Sequence, residues 1–273
     1  MTYNPSTVIH YPESDGHPMT ESDPTRDYLT YCVEALNLFF QGRSQVYVSG
    51  NLFIYYEEGN PRAVVSPDVF VVFGVTKRQR RVYKTWEEGD KVPAFIMEIT
   101  SRTTRQQDEV KKPQLYAQLG VQEYFQYDPN GDYLMPQLKG FTLVQGSYQP
   151  LPLIEKADGT WMIHSESLGL DLCLPLPDLA GLMVVASGQV PRALRLFDPQ
   201  TGEKLTTYAE SIAARDQERD RADRERERAD QAEQARRAAV SKLLAMGMSP
   251  EQIADTLALS LEAVNQMQRL SDS

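Results

Sequence analysis

Pro93-Ala94-Phe95-Ile96-Met97-Glu98-Ile99-Thr100-Ser101 is an apolar run with one carboxylate near its end. A run this short, apolar without alternation, is the pattern of a strand covered on both faces. Ser66-Pro67-Asp68-Val69-Phe70-Val71-Val72-Phe73 repeats the pattern with its carboxylate at the leading edge. A lysine follows about one helix later, in Asp108-Glu109-Val110-Lys111-Lys112. Carboxylates held at strand ends beside an ammonium can bind a divalent metal and activate water against a phosphodiester.

Towards the N-terminus, Ser22-Asp23-Pro24 is a helix start, a capping side chain followed by proline at an early helical position. Leu29, Cys32, Val33, Leu36 and Phe40 then recur at helical spacing. The stretch 45–56 is β-branched and aromatic with a Gly-Asn interruption, a helix is expected between 105 and 119, and Glu123–Tyr127 is a further strand closed by the turn signal Asp128-Pro129-Asn130-Gly131. Shorter strands are expected at 141–144, 161–164 and 170–174. The order helix, strands, helix, strand predicts an α/β fold, a mixed β-sheet flanked by helices. Four segments follow: a flexible arm over 1–20, a main domain over 21–207, a charged long helix over 208–241 and a small helical module over 242–273.

The chain of 273 residues is 41% hydrophobic, yet has no apolar stretch of about 18 residues and no signal-like N-terminus, so no membrane span and a cytoplasmic location are expected. Cys32 and Cys173 are the only cysteines, and His10, His17 and His164 lack metal-ligand spacing. A net charge of −10 argues against simple DNA binding. An acidic nuclease therefore needs locally clustered basic residues and metal ions that neutralise its site.

From Arg215 to Arg237 the chain is almost wholly Asp, Glu, Arg, Gln and Ala, which favours a long helix laced with i to i+4 ion pairs. Its heptad seam is half charged, so a solvated single helix or a weak alanine-seamed pairing follows rather than a strong coiled coil. Beyond it, Ser249, Pro250 and Gln252 have capping-box spacing, and Ile253, Ala254, Leu257, Leu259 and Val264 form a compact apolar set resembling a helix-turn-helix unit. It reads either as a DNA-reading unit or as a protein-interaction or packing module.

Pro67-Asp68, then Glu98-Ile99-Thr100-Ser101, then Asp108 and Lys112 with Tyr116, then Leu119-Gly120-Val121-Gln122-Glu123-Tyr124-Phe125-Gln126-Tyr127-Asp128-Pro129 together resemble the bacterial Uma-two family of restriction endonuclease-like proteins, within the PD-(D/E)xK nuclease superfamily. The resemblance implies a restriction endonuclease-like fold and a Mg2+- (or Mn2+-) dependent DNA endonuclease. Asp68 and Glu98 would be metal ligands, with the Ile99 carbonyl completing the oxygen shell, and Lys112 would polarise the attacking water or the scissile phosphate. In the common superfamily pattern the lysine stands two residues after the glutamate, where this chain has Thr100; the spacing to Tyr116 selects Lys112 over Lys111. Gln114 and Tyr116 are candidate phosphate contacts, and Glu34 on the first helix is a candidate additional acid. Cutting two strands favours a homodimer. The competing expectation is a catalytically inactive nuclease-fold protein, acting as a nucleic-acid-binding or oligomeric interaction protein through its C-terminal helices.

Overall fold

The computed structural model describes residues 9–14, 22–102, 105–177 and 190–271, and the chain divides into two compact units, Met1–Tyr208 and Ala209–Ser273. The first unit opens with helix α1 (Asp23–Phe39) and strands β1 (Val46–Ser49), β2 (Ile54–Tyr55), β3 (Val64–Val65), β4 (Val69–Phe73) and β5 (Tyr83–Lys84). It continues with β6 (Phe95–Ile99), helix α2 (Lys112–Leu119), β7 (Glu123–Tyr127), β8 (Leu138–Val144) and β9 (Ser147–Pro150). The strands β10 (Ile154–Glu155), β11 (Trp161–Ser165), β12 (Leu170–Leu174) and β13 (Arg195–Phe197) complete it.

A six-stranded mixed sheet in the order β1-β4-β6-β7-β8-β9 is the frame. Only β6 and β7 are parallel within it, and α2 makes the crossover that a parallel pair requires. Both faces are covered, which is why β4 and β6 read as unbroken apolar runs. On one face Val69, Val71, Phe95, Met97, Phe125 and Tyr127 pack with Cys32 and Leu36 of α1, with Phe40 that caps it, and with Leu170, Leu172 and Leu174 of the four-stranded sheet β10-β11-β12-β13. On the other, Phe70, Val72, Ile96 and Tyr124 pack with Tyr116 of α2 and with Ile54 and Tyr83 of the small sheet β3-β2-β5. The fold is thus α/β, a mixed sheet flanked by helices, as the sequence predicts. The stretch 45–56 forms two strands, divided at the Gly-Asn interruption, where Asn51 adopts a left-handed φ of 48° and the pairing stops after Ser49.

The first-face carboxylate Glu123 is buried, and it accepts hydrogen bonds from Ser165 Oγ and from the Glu166 amide at 3.0 Å, tying the large sheet to β11. Of the arm expected over 1–20, residues 1–8 and 15–20 lie outside the described residues. Residues 9–14 are docked: Tyr11 stacks edge-on with Tyr55 at 5.0 Å, and the Tyr55 hydroxyl donates to the Pro12 carbonyl at 2.6 Å.

The second unit contains α3 (Tyr208–Ala245), α4 (Pro250–Leu257) and α5 (Leu261–Ser271). Most of α3 is solvent-exposed along its length; Val240 is its buried residue, joining Ile253 and Val264 in a small core with Leu243, Leu257 and Leu259. Ser249 and Gln252 form a reciprocal capping box, with Pro250 in the first turn. Among the described residues no helix is long and apolar enough to cross a membrane.

Candidate active site

Strand register sets the candidate site. Phe70 faces Ile96 across the antiparallel β4–β6 pair, Glu98 is level with Gln126 in the parallel β6–β7 pair, and Gln126 faces Lys139 in the antiparallel β7–β8 pair. Continuing the first pairing by one step of two residues puts Asp68 opposite Glu98. Asp68, Glu98, Gln126 and Lys139 therefore form one row across four strands, on the face that α2 covers.

The approach to α2 supplies the rest. Gln107–Lys111 winds as a π-helical turn before α2 begins, and Pro113 lies in the first turn of α2. A proline there has no N–H to return to the preceding turn and crowds its carbonyls, so the helix widens instead of continuing. In π register the Asp108 carbonyl would accept from residue 113, which has no hydrogen to give. Two side chains of β7 take over: the Tyr124 hydroxyl donates to the Asp108 carbonyl at 2.6 Å and Gln126 Nε2 donates at 2.7 Å. Asp108 is thereby fixed with its carboxylate among the site residues.

Lys112 Nζ lies 2.7 Å from Glu98 Oε2 and 3.0 Å from Asp108 Oδ1. The other Glu98 oxygen accepts from the Tyr116 hydroxyl at 2.6 Å. Asp68 Oδ2 accepts from the Ile99 amide at 2.7 Å, and Asp108 Oδ2 accepts from Thr100 Oγ1 at 2.9 Å. Thr100 also bonds the Tyr133 hydroxyl. Despite the nearby ammonium, Asp108 Oδ1 is buried without a well-directed hydrogen bond.

Three carboxylates around one ammonium leave an excess of negative charge in a dry place. Burial, then repulsion from Glu98, pushes the Asp68 carboxyl well above the usual carboxylate range. Burial also raises Glu98, with Lys112 opposing and Asp108 reinforcing the shift. For Lys112 burial pulls downward, but Glu98 and Asp108 outweigh it and hold the ammonium above the ordinary lysine range.

Asp68, Glu98, Lys112 and Ile99 are thus brought together. Tyr116 is fully buried and its hydroxyl is committed to Glu98, so it orients that carboxylate and is not placed to touch phosphate. Gln114 is exposed on α2 with no partner among the described residues. Glu34 sits half-buried on α1, and no described contact joins it to the cluster. Sequence reasoning gave Asp108 no role, although its spacing of four residues from Lys112 places both on one helical face. Tyr124, Gln126 and Tyr133 carried no signal, since their tasks depend on the register of β7 and on a loop. Burial pushes the Cys32 thiol up to about 12 and the Cys173 thiol up to about 11, so neither is a nucleophile at neutral pH.

Gly50, at the end of β1, backs the site. A Cβ there would lie 2.3 Å from the Asp68 carbonyl oxygen and 3.0 Å from Val33 Cγ2. The first obstacle is backbone and cannot swing away. Gly50→Ala is expected to lower stability by roughly 1–3 kcal/mol in urea unfolding and to reduce any activity that needs Asp68 in place. Gly42→Ala is the control, because nothing lies within 4 Å of its added Cβ.

The donor set is all oxygen, as a hard divalent cation requires. Among the described residues no three His, Cys, Asp or Glu side chains are gathered as a ready metal cage. Mg2+ asks for less, using one or two carboxylates and keeping several waters, and Asp68 with Glu98 meets that demand. The orphaned Asp108 Oδ1 and the surplus negative charge fit a cation as well.

Residues 11–177 of the chain match the family described as "Uma2: Putative restriction endonuclease". No curated protein matches. Among solved structures the chain is similar to one described as a "putative nuclease belonging to DUF820" from Anabaena variabilis ATCC 29413, with 14% sequence identity and a TM-score of 0.38, covering 55% of this chain and 76% of that one.

Proposed function

The chain belongs to the Uma2 family, whose model matches more than half of it, and from that premise we propose that it is a metal-dependent endonuclease hydrolysing phosphodiester bonds of DNA. The observation that carries the reading is the convergence of Asp68, Glu98 and Lys112 where the start of β4 meets the end of β6, with Lys112 Nζ 2.7 Å from Glu98. Asp68 and Glu98 would hold Mg2+ or Mn2+, with the Ile99 carbonyl and waters completing an oxygen shell. When bound, the ion supplies positive charge to the pentavalent phosphate and makes water more acidic.

The chain's own residues do the remainder. Lys112 has three N–H donors, one of them donated to Glu98 Oε2, and lies 3.0 Å from Asp108 Oδ1 as an ion pair; it presents positive charge where a phosphate would gather negative charge. The Ile99 amide orients Asp68, Tyr116 orients Glu98, and Thr100 orients Asp108. Burial under α2 keeps bulk water from screening these charges.

Incubating supercoiled plasmid and single-stranded DNA with Mg2+ or Mn2+ tests the proposal, with Asp68→Ala and Lys112→Ala prepared identically. The expected result is cutting that needs metal and disappears in both variants; equal cutting in all three proteins would overturn it. A catalytically inactive interaction protein is the second reading, favoured by the closure of Lys112 onto both Glu98 and Asp108. Two copies acting on a duplex remain part of the first reading, and sedimentation showing only monomer at micromolar concentration would remove that part.

A further inference from the structure

Beside the carboxylate cluster a cavity of about 290 Å³ opens between the start of α2 and strands β7, β8 and β9, lined by Glu109, Pro113, Tyr124, Gln126, Lys139, Phe141 and Tyr148. It shares parts with the site, because Tyr124 and Gln126 hold the Asp108 carbonyl. Its chemistry differs. Tyr124 lies 6.1 Å from Phe141 with nearly parallel rings and 5.9 Å from Tyr148. Both tyrosine hydroxyls are already committed, to the Asp108 and Val121 carbonyls; Tyr124 is buried beneath its neighbours, so the ring surface left to a ligand is that of the partly buried Phe141 and Tyr148.

Two polar groups complete the lining. Gln126 donates its amide hydrogens to the Asp108 carbonyl and the Tyr124 hydroxyl, which leaves its carbonyl oxygen as an acceptor. Lys139 has no hydrogen-bond or ion-pair partner among the described residues, whereas Glu109 across the cavity is paired with Arg105 at 2.9 Å. Ring surface, one fixed acceptor and one free ammonium suit a planar heterocycle that carries both a donor edge and a carbonyl. Lys139 stands two strands from Glu98 in the same row, about 10 Å away at the usual inter-strand spacing. That reach is on the scale of one nucleotide.

We propose that this cavity holds a nucleobase of the strand being cut, next to the scissile phosphate, so that the protein acts where a base has left its stack. The proposal rests on the nuclease reading for what lies at the carboxylates, but it is testable without cleavage. Base stacking on aromatic side chains is largely indifferent to sequence and worth a factor of about ten or more in affinity per base.

The experiment is fluorescence anisotropy in EDTA at low salt, with a short labelled single strand and a strand of equal length and charge whose bases are all replaced by abasic sites. For the wild type, the intact strand is expected to bind about ten-fold or more tightly than the abasic one. Lys139→Met and Phe141→Ala should bring the intact strand towards the abasic value. Equal affinity of the wild type for both strands, or binding of neither, overturns the proposal, and neither outcome depends on a variant folding. Base-dependent binding without metal-dependent cleavage would sink the nuclease reading and leave the cavity's assignment standing; cleavage with base-independent binding would do the reverse.

Discussion

Asp68→Asn is expected to abolish metal-dependent cutting while raising the melting temperature of the metal-free protein. The substitution preserves the acceptor for the Ile99 amide, now 2.7 Å from Asp68 Oδ2, and removes a charge that burial and Glu98 both disfavour. Folding gains because a desolvated charge beside like charges is relieved. Catalysis loses because the same charge is half of the proposed cation site, and removing one preorganised electrostatic contact costs on the order of 10²–10³-fold in rate. Plasmid cleavage and thermal unfolding of the same preparation check both halves. If activity and stability fell together, Asp68 would be a structural carboxylate, and the trade-off between stability and function would not apply.

Lys112→Met carries the other large effect, in the opposite direction for stability. Glu98 and Asp108 are both buried, and Lys112 is the cation between them. Removing it leaves two carboxylates without charge compensation, a loss of roughly 3 kcal/mol by comparison with broken buried pairs. The pH dependence follows from Glu98, whose folded-state pKa already lies above its ordinary value and rises further without Lys112. A carboxyl raised on folding favours the folded state below its unfolded pKa and loses that contribution as pH rises through the folded value. The deficit of Lys112→Met should therefore be small near pH 4 and grow towards neutrality in urea titrations. Mg2+ should restore part of the lost stability by replacing the missing positive charge. A deficit independent of pH would show that Lys112 acts through packing of its alkyl chain.

Much of this was legible in the sequence, and the rest was hidden for identifiable reasons. The runs at 69–73 and 95–99 announced strands covered on both faces, and the acidic residues at their edges lie beside one another because antiparallel pairing puts the start of β4 level with the end of β6. That Lys112 rather than Lys111 would lie at Glu98 was an expectation from the family resemblance, and Lys112 Nζ does lie 2.7 Å from Glu98. Pro113 falls in the first turn of α2, and the chain takes a π-helical turn just before that helix. The consequence, a backbone carbonyl freed for Tyr124 and Gln126, requires knowing which strand lies beneath that turn. Asp108 stands in the stretch that carries the resemblance, but its place in the buried cluster was hidden for the same reason, since a carboxylate four residues before a lysine is more often a solvated helical pair. Lys139 and Tyr148 come from strands far along the chain, and only the pairing of β7, β8 and β9 brings them to the cavity.

The row of Asp68, Glu98, Gln126 and Lys139 ties the site's chemistry to the counting of residues within strands. Side chains alternate between faces, so deleting one residue inside β6 would not shorten the site but turn Glu98 over to the side packed by α1, and would drive an apolar neighbour towards the cation. Substitutions along these strands are graded in effect, whereas insertions and deletions are all or none. Divergence of such a protein is channelled accordingly: length can drift in its connecting loops and in its C-terminal helices, while β4, β6, β7 and β8 must keep their parity for Asp68, Glu98, Gln126 and Lys139 to stay in one row.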